Sequence, residues 1–495
     1  MQRKQLTLVI VSLLVVVLSV SLAYFTVQII GKGKDVSVTS ANLQIVFTDS
    51  DGALTETDIE PGWSATKTFT IKNDTKTEYK YNIVIKDLVN TFVTNGYLQY
   101  KITTTNGGYN MTEFKDIPKS STPKDTILAY SVVIPNREIQ SYTIEFKYAN
   151  DESVDQSDDM GRKLSGTLFI TEGTEQPTLL SQLLADKSTR PGERTDFSTV
   201  LTTDNTKTLY TATEDGTTVY YFAGNATDNW VEFGGFYWRV IRTNADGSIR
   251  ILYHSTSTTA TDAYISSSTK FNSPASDPMY VGYMYGTSGS LVNNRTNEND
   301  SIIKKVIDTW YKDNLNTNYG KYLSPTAIYC NDREVGSGTF SAVGSSFNYA
   351  AYVRLKTNKT PIYDCTNVND KFTVDSSTGN GKLTYPVALM TADEIAFAGG
   401  VYENNSPTWY YYNSANGSST GSTGWWLLSP IFWDGYLAYM SIMNGSIGLA
   451  GLVYNSVIDV TSARPVTSLK SCVQWKSGDG TAENPYTIEE STSGC

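Results

Sequence analysis

The chain has 495 residues, which is long enough for two or three domains that each bury a core of their own. Aromatic residues make up 12% of it, with 34 tyrosines, and charged residues only 18%, a balance that excludes a disordered protein and is typical of β-rich extracellular domains. The net charge is -11, and because an acidic surface repels phosphate groups, we expect no nucleic-acid partner.

The first predicted element is an apolar N-terminal segment. Arg3 and Lys4 precede a mostly apolar run over residues 6–30, which exceeds the roughly 20 residues that a membrane-spanning helix requires. The basic residues mark the cytoplasmic side, so the segment predicts export of the rest of the chain. Residues 21–23 (SLA) also fit a small-x-small cleavage site. Residues 1–32 are therefore interpreted as a signal anchor or a removed signal peptide, and we expect a cell-surface protein, held in the cytoplasmic membrane by this helix or released by cleavage.

Residues 33–172 are predicted to form an all-β sandwich. Apolar and other residues alternate in several short stretches, which is the period of strands with one buried and one wet face. Turn-forming clusters separate the stretches, and about seven short strands over this length favour two packed sheets. The alternating residues are Leu43, Ile45, Phe47, Tyr79, Tyr81, Ile83, Ile85, Tyr142, Ile144, Phe146, Tyr148, Leu168 and Ile170.

Three segments of this region carry a resemblance to a known family. Residues 23–26 (AYFT), 59–63 (IEPGW) and 67–73 (KTFTIKN) are similar to the exported camelysin/TasA-type sandwich domains of Gram-positive bacteria. The similarity covers about a quarter of the chain. It implies a domain of matrix fibres or surface proteins.

A linker is predicted over residues 173–205. This stretch is polar and charged and contains Pro177, Pro191 and Gly192. It includes one short amphipathic segment, residues 179–184, which predicts one or two helical turns.

Residues 206–495 are predicted to form an α+β domain. Strand-like runs on either side of Asp246 and Gly247 predict a hairpin. A helix is expected to start near Ser301, followed by apolar residues at helical spacing. A second helix is announced by the capping box of Thr391 and Glu394, and the glycine pair after Ala398 should end it.

The same region carries a second resemblance. Residues 229–242 (NWVEFGGFYWRVIR), 388–395 (ALMTADEI), 425–430 (WWLLSP) and 463–466 (ARPV) are very similar to recurrent segments of uncharacterised surface proteins of gut Firmicutes. The resemblance implies a C-type-lectin-like fold, distantly related to the formylglycine-generating-enzyme fold. Some members resemble targets of diversity-generating retroelements, which would make residues 431–463 a variable region.

Four cysteines in an exported chain predict two disulfides, for which three connectivities can be drawn. Closeness in sequence favours Cys330 with Cys365 and Cys472 with Cys495. The alternative is reduced cysteine, which is common in exported proteins of many Gram-positive bacteria. The spacings do not fit zinc, and His254 is the chain's one histidine.

The candidate ligand site lies in residues 431–456. Large aromatic and aliphatic residues are interleaved there with Gly, Ser and Asn, the mixture that antibody-like contact surfaces use. Trp433 and Tyr436 flank an Asp-Gly turn and are expected to be exposed, whereas Trp425, Trp426 and Arg464 are interpreted as structural. The Ser- and Gly-rich loop 413–424 is either the rim of this surface or a spacer. The predicted contact residues are Phe432, Trp433, Tyr436, Leu437, Ser441, Met443, Leu449, Leu452 and Tyr454.

The alternative for these side chains is that they fill the core, and this interpretation is favoured for Tyr439, Ile442 and Val453. An enzyme is not expected: a catalytic triad would have to use His254, which has no nucleophile motif near it. The formylglycine-generating relatives depend on active-site cysteines, and the stretch before Arg464 has none. We expect no cofactor, and a structural calcium ion is left open without a position.

The sequence therefore predicts a membrane segment, a β-sandwich and a lectin-like domain that binds an unidentified protein or glycan. A different function remains open at this point, a structural component of an extracellular fibre or matrix assembled through the sandwich by strand addition.

Overall fold

The computed structural model describes residues 26–30, 36–38, 45–49, 53–57, 59–94, 96–187, 189–201, 208–404, 424–444, 451–492 and 494–495. For residues 26–57 and 189–192 the description covers the backbone alone. The chain divides between Gln176 and Pro177 into two compact units, called here the N-terminal unit and the C-terminal unit.

The described part of the N-terminal unit is built of strands. Its elements are β1 (Thr26–Ile30), β2 (Val36–Val38), β3 (Ile45–Asp49), β4 (Ala53–Thr57), β5 (Ser64–Asn73), β6 (Tyr79–Asn90), β7 (Leu98–Thr104), β8 (Lys115–Asp116), β9 (Ser120–Ile134), β10 (Ile139–Tyr148), a 3₁₀ turn (Ser157–Asp159) and β11 (Lys163–Glu172). One sheet has the order β4-β1-β11-β6-β9 and the other β2-β3-β5-β10-β7-β8. Neighbouring strands are antiparallel except β1 and β11, which run parallel.

The two sheets of the N-terminal unit enclose one apolar core, as the alternating pattern predicts. On β10, Tyr142, Ile144 and Phe146 are buried while the residues between them are half-exposed. Ile85 and Leu168, from the other sheet, join the same core. Because burying such a side chain contributes about 1.5–3 kcal/mol, the inward faces of the strands hold the sheets together.

The predicted membrane segment falls mostly outside the described residues. Its last five residues form strand β1 (Thr26–Ile30). The predicted cleavage site at residues 21–23 also lies outside the described residues. Within the described ranges, no helix combines the length and the apolar character needed to cross a bilayer.

The C-terminal unit combines two larger sheets with short helices, so it is mainly β-structure. Its strands are β12 (Thr189–Glu193), β13 (Thr208–Glu214), β14 (Thr217–Tyr221), β15 (Trp230–Phe233), β16 (Phe236–Thr243), β17 (Ile249–Ser255), β18 (Ser266–Lys270), β19 (Met284–Tyr285), β20 (Asn299–Asp300), β21 (Tyr329–Cys330), β22 (Val335–Gly338), β23 (Phe347–Tyr349), β24 (Lys371–Phe372), β25 (Val387–Ala388), β26 (Trp425–Trp433), β27 (Ala438–Asn444), β28 (Gly451–Ser456), β29 (Val460–Ala463), β30 (Val466–Leu469), β31 (Trp475–Ser477) and β32 (Thr487–Ile488).

The helices of this unit are α1 (Leu179–Asp186), α2 (Leu291–Asn294), α3 (Ile302–Asn314), α4 (Asn316–Tyr319), α5 (Ala350–Tyr352), which continues into a π-helical turn (Val353–Asn358), and α6 (Ala392–Phe397). Three 3₁₀ turns lie at Pro278–Val281, Gly320–Tyr322 and Val368–Asp370. One sheet follows the order β12-β13-β14-β16-β17-β30-β25, with β15 paired to β16. The other follows β18-β29-β26-β23-β22, and β27 and β28 extend it from β26.

The first and last segments of the C-terminal unit are joined. The backbone N–H of Leu179 donates to Val473 at 2.8 Å, and that of Trp475 donates to Pro177 at 2.9 Å. Leu179 and Leu183 are buried in the unit's core. The helical part of the predicted linker is therefore packed within this unit.

Both predicted helices are confirmed, and so is the capping box predicted for the second. Ser301 caps α3 by accepting a hydrogen bond from the backbone N–H of Lys304, and Ile303 and Ile307 face the core. At α6, the Thr391 side chain accepts from the backbone of Glu394 and the Glu394 side chain accepts from the backbone of Thr391, so both halves of the capping box are present. These contacts satisfy backbone N–H groups that have no partner within the helix.

The favoured disulfide pairing is also confirmed. Cys330 is bonded to Cys365 and Cys472 to Cys495, with a Cα–Cα distance of 5.7 Å in each pair. Each bond restricts the unfolded chain, which stabilises the folded state by about 2–4 kcal/mol.

Candidate functional site

The predicted contact region forms an antiparallel meander of β26, β27 and β28. Residues directly opposite each other on paired strands share one face of the sheet. Ser441 lies opposite Tyr454, and Met443 lies opposite Leu452. One face of the meander therefore carries Tyr439, Ser441 and Met443 from β27 with Leu452 and Tyr454 from β28.

Four aromatic rings gather on this face, and we call them the aromatic platform: Tyr352, Phe432, Tyr439 and Tyr454. The Phe432 ring centroid lies 4.5 Å from that of Tyr439, 5.0 Å from that of Tyr454 and 5.9 Å from that of Tyr352. Tyr454 is 36% exposed and the other rings are half-buried. The rings pack against one another and still retain exposed surface.

Buried side chains on the same sheet face flank the platform. The hydroxyls of Tyr402 and Ser441 are hydrogen-bonded at 2.8 Å, and both side chains are buried. The Tyr402 ring packs edge-on against the Tyr352 ring, with 5.7 Å between the ring centroids. Met443 and Leu452, both fully buried, complete the layer. Because these buried neighbours pack beside the rings, they restrict the positions that the rings can take.

Two exposed loop tips lie beside each other next to the platform. In the turn after β26, the Asp434 carboxylate accepts hydrogen bonds from the backbone of Tyr436 at 2.8 Å and Leu437 at 2.7 Å. Gly435 has φ +98° and lies so close to the backbone of Gly344 that a Cβ would be 3.0 Å from its carbonyl oxygen. This contact places the turn against the loop between β22 and β23. The side chain of Tyr436 is 78% exposed, and that of Val343, on the other loop, is 82% exposed.

The structure corrects the sequence expectation for Trp433, which is buried, with 1% of its surface exposed. Strand β26 continues through Trp433, so Phe432 and Trp433 point to opposite faces of the sheet. Phe432 belongs to the platform, and Trp433 therefore packs in the core. The Asp-Gly turn that comes next exposes Tyr436, as expected, but begins too late to expose Trp433.

The remaining predicted contact residues divide into three groups. Phe432, Leu437 and Tyr454 retain exposed surface, whereas Ser441, Met443 and Leu452 are buried. Leu449 lies outside the described residues, as does loop 413–424 except for Gly424.

Of the side chains assigned to the core, Ile442 is buried as expected, but Tyr439 and Val453 are half-exposed. The platform also includes Tyr352, which was not predicted from the sequence. Tyr352 is distant in sequence, and its sequence neighbourhood carries no signal for this position. Trp425, Trp426 and Arg464 are fully buried, which agrees with a structural role.

Charged groups lie at both ends of the platform. Burial, followed by the nearby charges of Asp434 and Asp459, raises the pKa of Tyr439. At the other end, the Lys356 ammonium lies 5.3 Å from the centroid of the Tyr352 ring and forms an ion pair of 2.8 Å with Glu403.

A small cavity lies among buried charged side chains elsewhere in the C-terminal unit. Arg242, Arg250, Arg354, Asp332 and Asp393 line it, together with Thr391 and Ser429. Its volume of about 20 Å³ suits roughly one water molecule. Arg354 pairs with Asp393 at 2.7 Å and with Asp332 at 3.0 Å, so the charges neutralise one another and stabilise the fold.

His254 lies in the core. It is fully buried, and its ring packs edge-on against that of Trp230, with 4.7 Å between the ring centroids. Burial, followed by the nearby charges of Arg464 and Arg239, lowers the pKa of His254 to about 2, so the imidazole is neutral at physiological pH. Within the described residues, no three His, Cys, Asp or Glu side chains are grouped so that they could hold a metal ion.

Comparisons with known proteins give little similarity. No protein-family model and no curated protein matches the chain. Among solved structures, a family 123 glycoside hydrolase from Clostridium perfringens is similar at 10% sequence identity, over 26% of this chain and 26% of that chain, with a TM-score of 0.10. This chain thus covers about a quarter of that structure, and a similarity of this size supports no conclusion about fold or activity.

Proposed function

We propose that the C-terminal unit is the ligand-binding domain of an exported surface protein, and that it recognises a protein or glycan through the aromatic platform. One observation carries the proposal: four rings, of which Phe432 contacts the other three, retain exposed surface on one sheet face, beside the exposed loop tips of Tyr436 and Val343. Clustered, partly exposed aromatic residues on a rigid frame commonly mark contact surfaces.

Physical arguments support recognition rather than chemistry at this site. Tyrosine has few rotatable bonds, so a tyrosine surface offers a large contact area at a low entropy cost on binding. The hydrogen bond between Tyr402 and Ser441 fixes the buried side chains beside the rings. The platform lacks a paired nucleophile and base among its described side chains, and the charges beside it take part in hydrogen bonds or an ion pair.

The two resemblances extend this proposal. A C-type-lectin-like fold for the C-terminal unit, a camelysin/TasA-like sandwich before it, attachment through the N-terminal segment and diversification of residues 431–463 are all part of it. A reverse-transcriptase gene beside the coding sequence, with a near-copy of codons 431–463 that differs at adenines, would support the last element. Its absence would count against it.

A binding screen tests the central proposal. The full chain is applied to glycan arrays and bacterial surface-protein arrays beside two variants, Tyr436→Ala and Tyr454→Ala, with Tyr264→Ala as an aromatic control elsewhere in the unit. We expect a ligand that both platform-side variants bind at least about tenfold more weakly, because each removes a contact ring while leaving the core intact. Circular dichroism checks folding. Binding unchanged in both variants would place the site elsewhere and refute the proposal.

A fibre or matrix component is the second candidate, and one feature of the N-terminal unit favours it. Strand β1 lies inside its sheet, paired with β4 on one side and in parallel with β11 on the other. A short strand at this position can be supplied by the same chain or by a neighbouring copy, which would join copies by strand addition.

Electron microscopy and sedimentation of the full chain distinguish the two candidates. A fibre component should form polymers that Gln28→Pro abolishes, because proline removes a strand hydrogen bond and restricts the backbone. A receptor should remain unpolymerised and bind its ligand with or without that substitution.

A further inference from the structure

The aromatic platform is not electrically symmetric. At the end formed by Tyr439 and Tyr454, the carboxylates of Asp434 and Asp459, both on exposed residues, lie close enough to act on Tyr439 by charge. The end formed by Tyr352 carries Lys356, its partner Glu403 and the neighbouring Lys359. One end of the platform is therefore acidic, whereas the three charges named at the other end leave a net charge of +1.

The acidic carboxylates are held in place by the backbone. Asp434 accepts two backbone hydrogen bonds, from Tyr436 and Leu437, and Asp459 accepts one from the backbone of Ser456 at 3.0 Å. A carboxylate has about four acceptor sites, so both retain capacity for a further donor. Both carboxylates are therefore held in place and can still accept a hydrogen bond from a ligand.

The combination of aromatic faces with nearby carboxylates suits a cation. The quadrupole of a tyrosine ring attracts an ammonium or guanidinium group above its face, and a carboxylate neutralises the group's charge. The protein already contains one such contact at the opposite end, where the Lys356 ammonium lies over the Tyr352 ring while pairing with Glu403. The acidic end offers the same two elements, ring and carboxylate, with no lysine or arginine of the described chain placed on its rings.

We propose that the partner of this site is a protein that places an arginine or lysine side chain on the rings of Tyr439 and Tyr454, beside Asp434 and Asp459. This inference rests on the proposed ligand-binding function and names the ligand's chemistry. The exposed side chains of Tyr436 and Val343 favour a protein over a glycan, because aromatic residues are enriched at interfaces between proteins. The chain's net charge of -11 would also speed the approach of a basic partner.

The experiment selects ligands from a displayed library of random short peptides on the full chain, and counts only peptides whose binding is lost in Tyr454→Ala. The selected peptides should be enriched in arginine or lysine. Replacing that arginine by citrulline, its neutral isostere, should weaken binding about tenfold, and so should the protein variant Asp434→Asn with Asp459→Asn. Asparagine keeps the backbone hydrogen bonds, and thermal melting confirms that the variant is folded.

A double-mutant cycle and a control decide the outcome. In the Asn double variant, citrulline should cause little further loss, because the two changes remove the same interaction. Asp313→Asn, an exposed carboxylate on α3, should leave binding unchanged. Platform-dependent peptides without basic residues, or insensitive to the Asn variant, would overturn this inference while leaving the proposed function intact. A glycan that requires Tyr454 would also overturn it, and no Tyr454-dependent ligand of either class would refute both.

Discussion

Replacing Glu394 by glutamine tests how the C-terminal unit is held together. Glu394 is 1% exposed, and its carboxylate accepts from Arg242 at 2.9 Å, from Arg250, and from the backbone N–H of Thr391 at 3.0 Å. Glutamine has nearly the same shape and can still accept the hydrogen bond from Thr391. The substitution therefore removes the negative charge while keeping the capping box.

The expected loss in free energy of unfolding depends on the partners that Arg242 and Arg250 each retain in Glu394→Gln. Arg242 keeps its ion pair with Glu214 at 2.8 Å. Arg250, also 1% exposed, keeps the carbonyl of Ile328 and the ring of Tyr329 but loses its ion pair with Glu394. Breaking a buried ion pair by removing one partner costs about 3–5 kcal/mol. We expect the free energy of unfolding to fall by about 3 kcal/mol, the lower end, because Arg242 remains paired.

Urea unfolding followed by tryptophan fluorescence measures this loss. Eight of the nine tryptophans come after Gln176 in the chain, with Trp63 as the exception, so the signal reports mainly the C-terminal unit. Glu403→Gln is the control, because its ion pair with Lys356 is partly exposed and should contribute less than about 1 kcal/mol. Equal transition midpoints for Glu394→Gln and Glu403→Gln would refute the argument.

The pH dependence of stability tests the contribution of the Glu394 charge independently. Burial by itself would raise the pKa of Glu394, but Arg250 and Arg242 outweigh it and hold the pKa below its ordinary value. The stabilisation is therefore fully present above the pKa of the unfolded chain, about 4.3, and is lost as the pH falls below it. The stability difference between wild type and Glu394→Gln should shrink in that range.

Two further predictions concern side chains of the core. The unfolded chain binds a proton at His254 below about pH 6.5, whereas the folded protein, in which burial and then Arg464 and Arg239 lower the pKa to about 2, does not. Stability should therefore decline as pH falls from about 6.5, and His254→Phe should reduce that decline by up to about 1.4 kcal/mol per pH unit; equal slopes in urea melts between pH 7 and 5 would contradict this. Trp433→Ala should cost about 3–5 kcal/mol, and Tyr436→Ala less than about 0.5 kcal/mol. The reverse order in thermal unfolding would show that Trp433 is not a core residue.

Features that depend on neighbouring residues could be predicted from the sequence. The caps at Ser301 and Thr391 use groups three residues apart, and the hairpin at Gly247 needs a local turn with positive φ, which the structure shows at +78°. The sandwich strands reflect a period of two, because successive side chains point to opposite faces. Two disulfides were expected from cysteine count and closeness, and both pairs are present.

The membership of the candidate site could be predicted only in part. Its aromatic composition pointed to residues 431–456, and Phe432, Tyr436 and Tyr454 do retain exposed surface. Which ring of a consecutive pair faces outward depends on where β26 ends, and a side chain's exposure changes completely with a shift of one residue. That is why Trp433 was expected at the surface and Tyr439 in the core, whereas the structure buries Trp433 and leaves Tyr439 half-exposed.

Contacts between distant segments set the rest. Tyr352 reaches the platform because β23, which directly precedes α5, pairs with β26, and Val343 stands beside Tyr436 because Gly435 packs against Gly344. These contacts join residues about eighty to ninety positions apart. Caps, turns and strand periods arise from interactions within a few residues, so the order of residues determines them. The platform and its acidic end arise from strand register and close packing between remote segments, which are settled only when the whole unit buries its core.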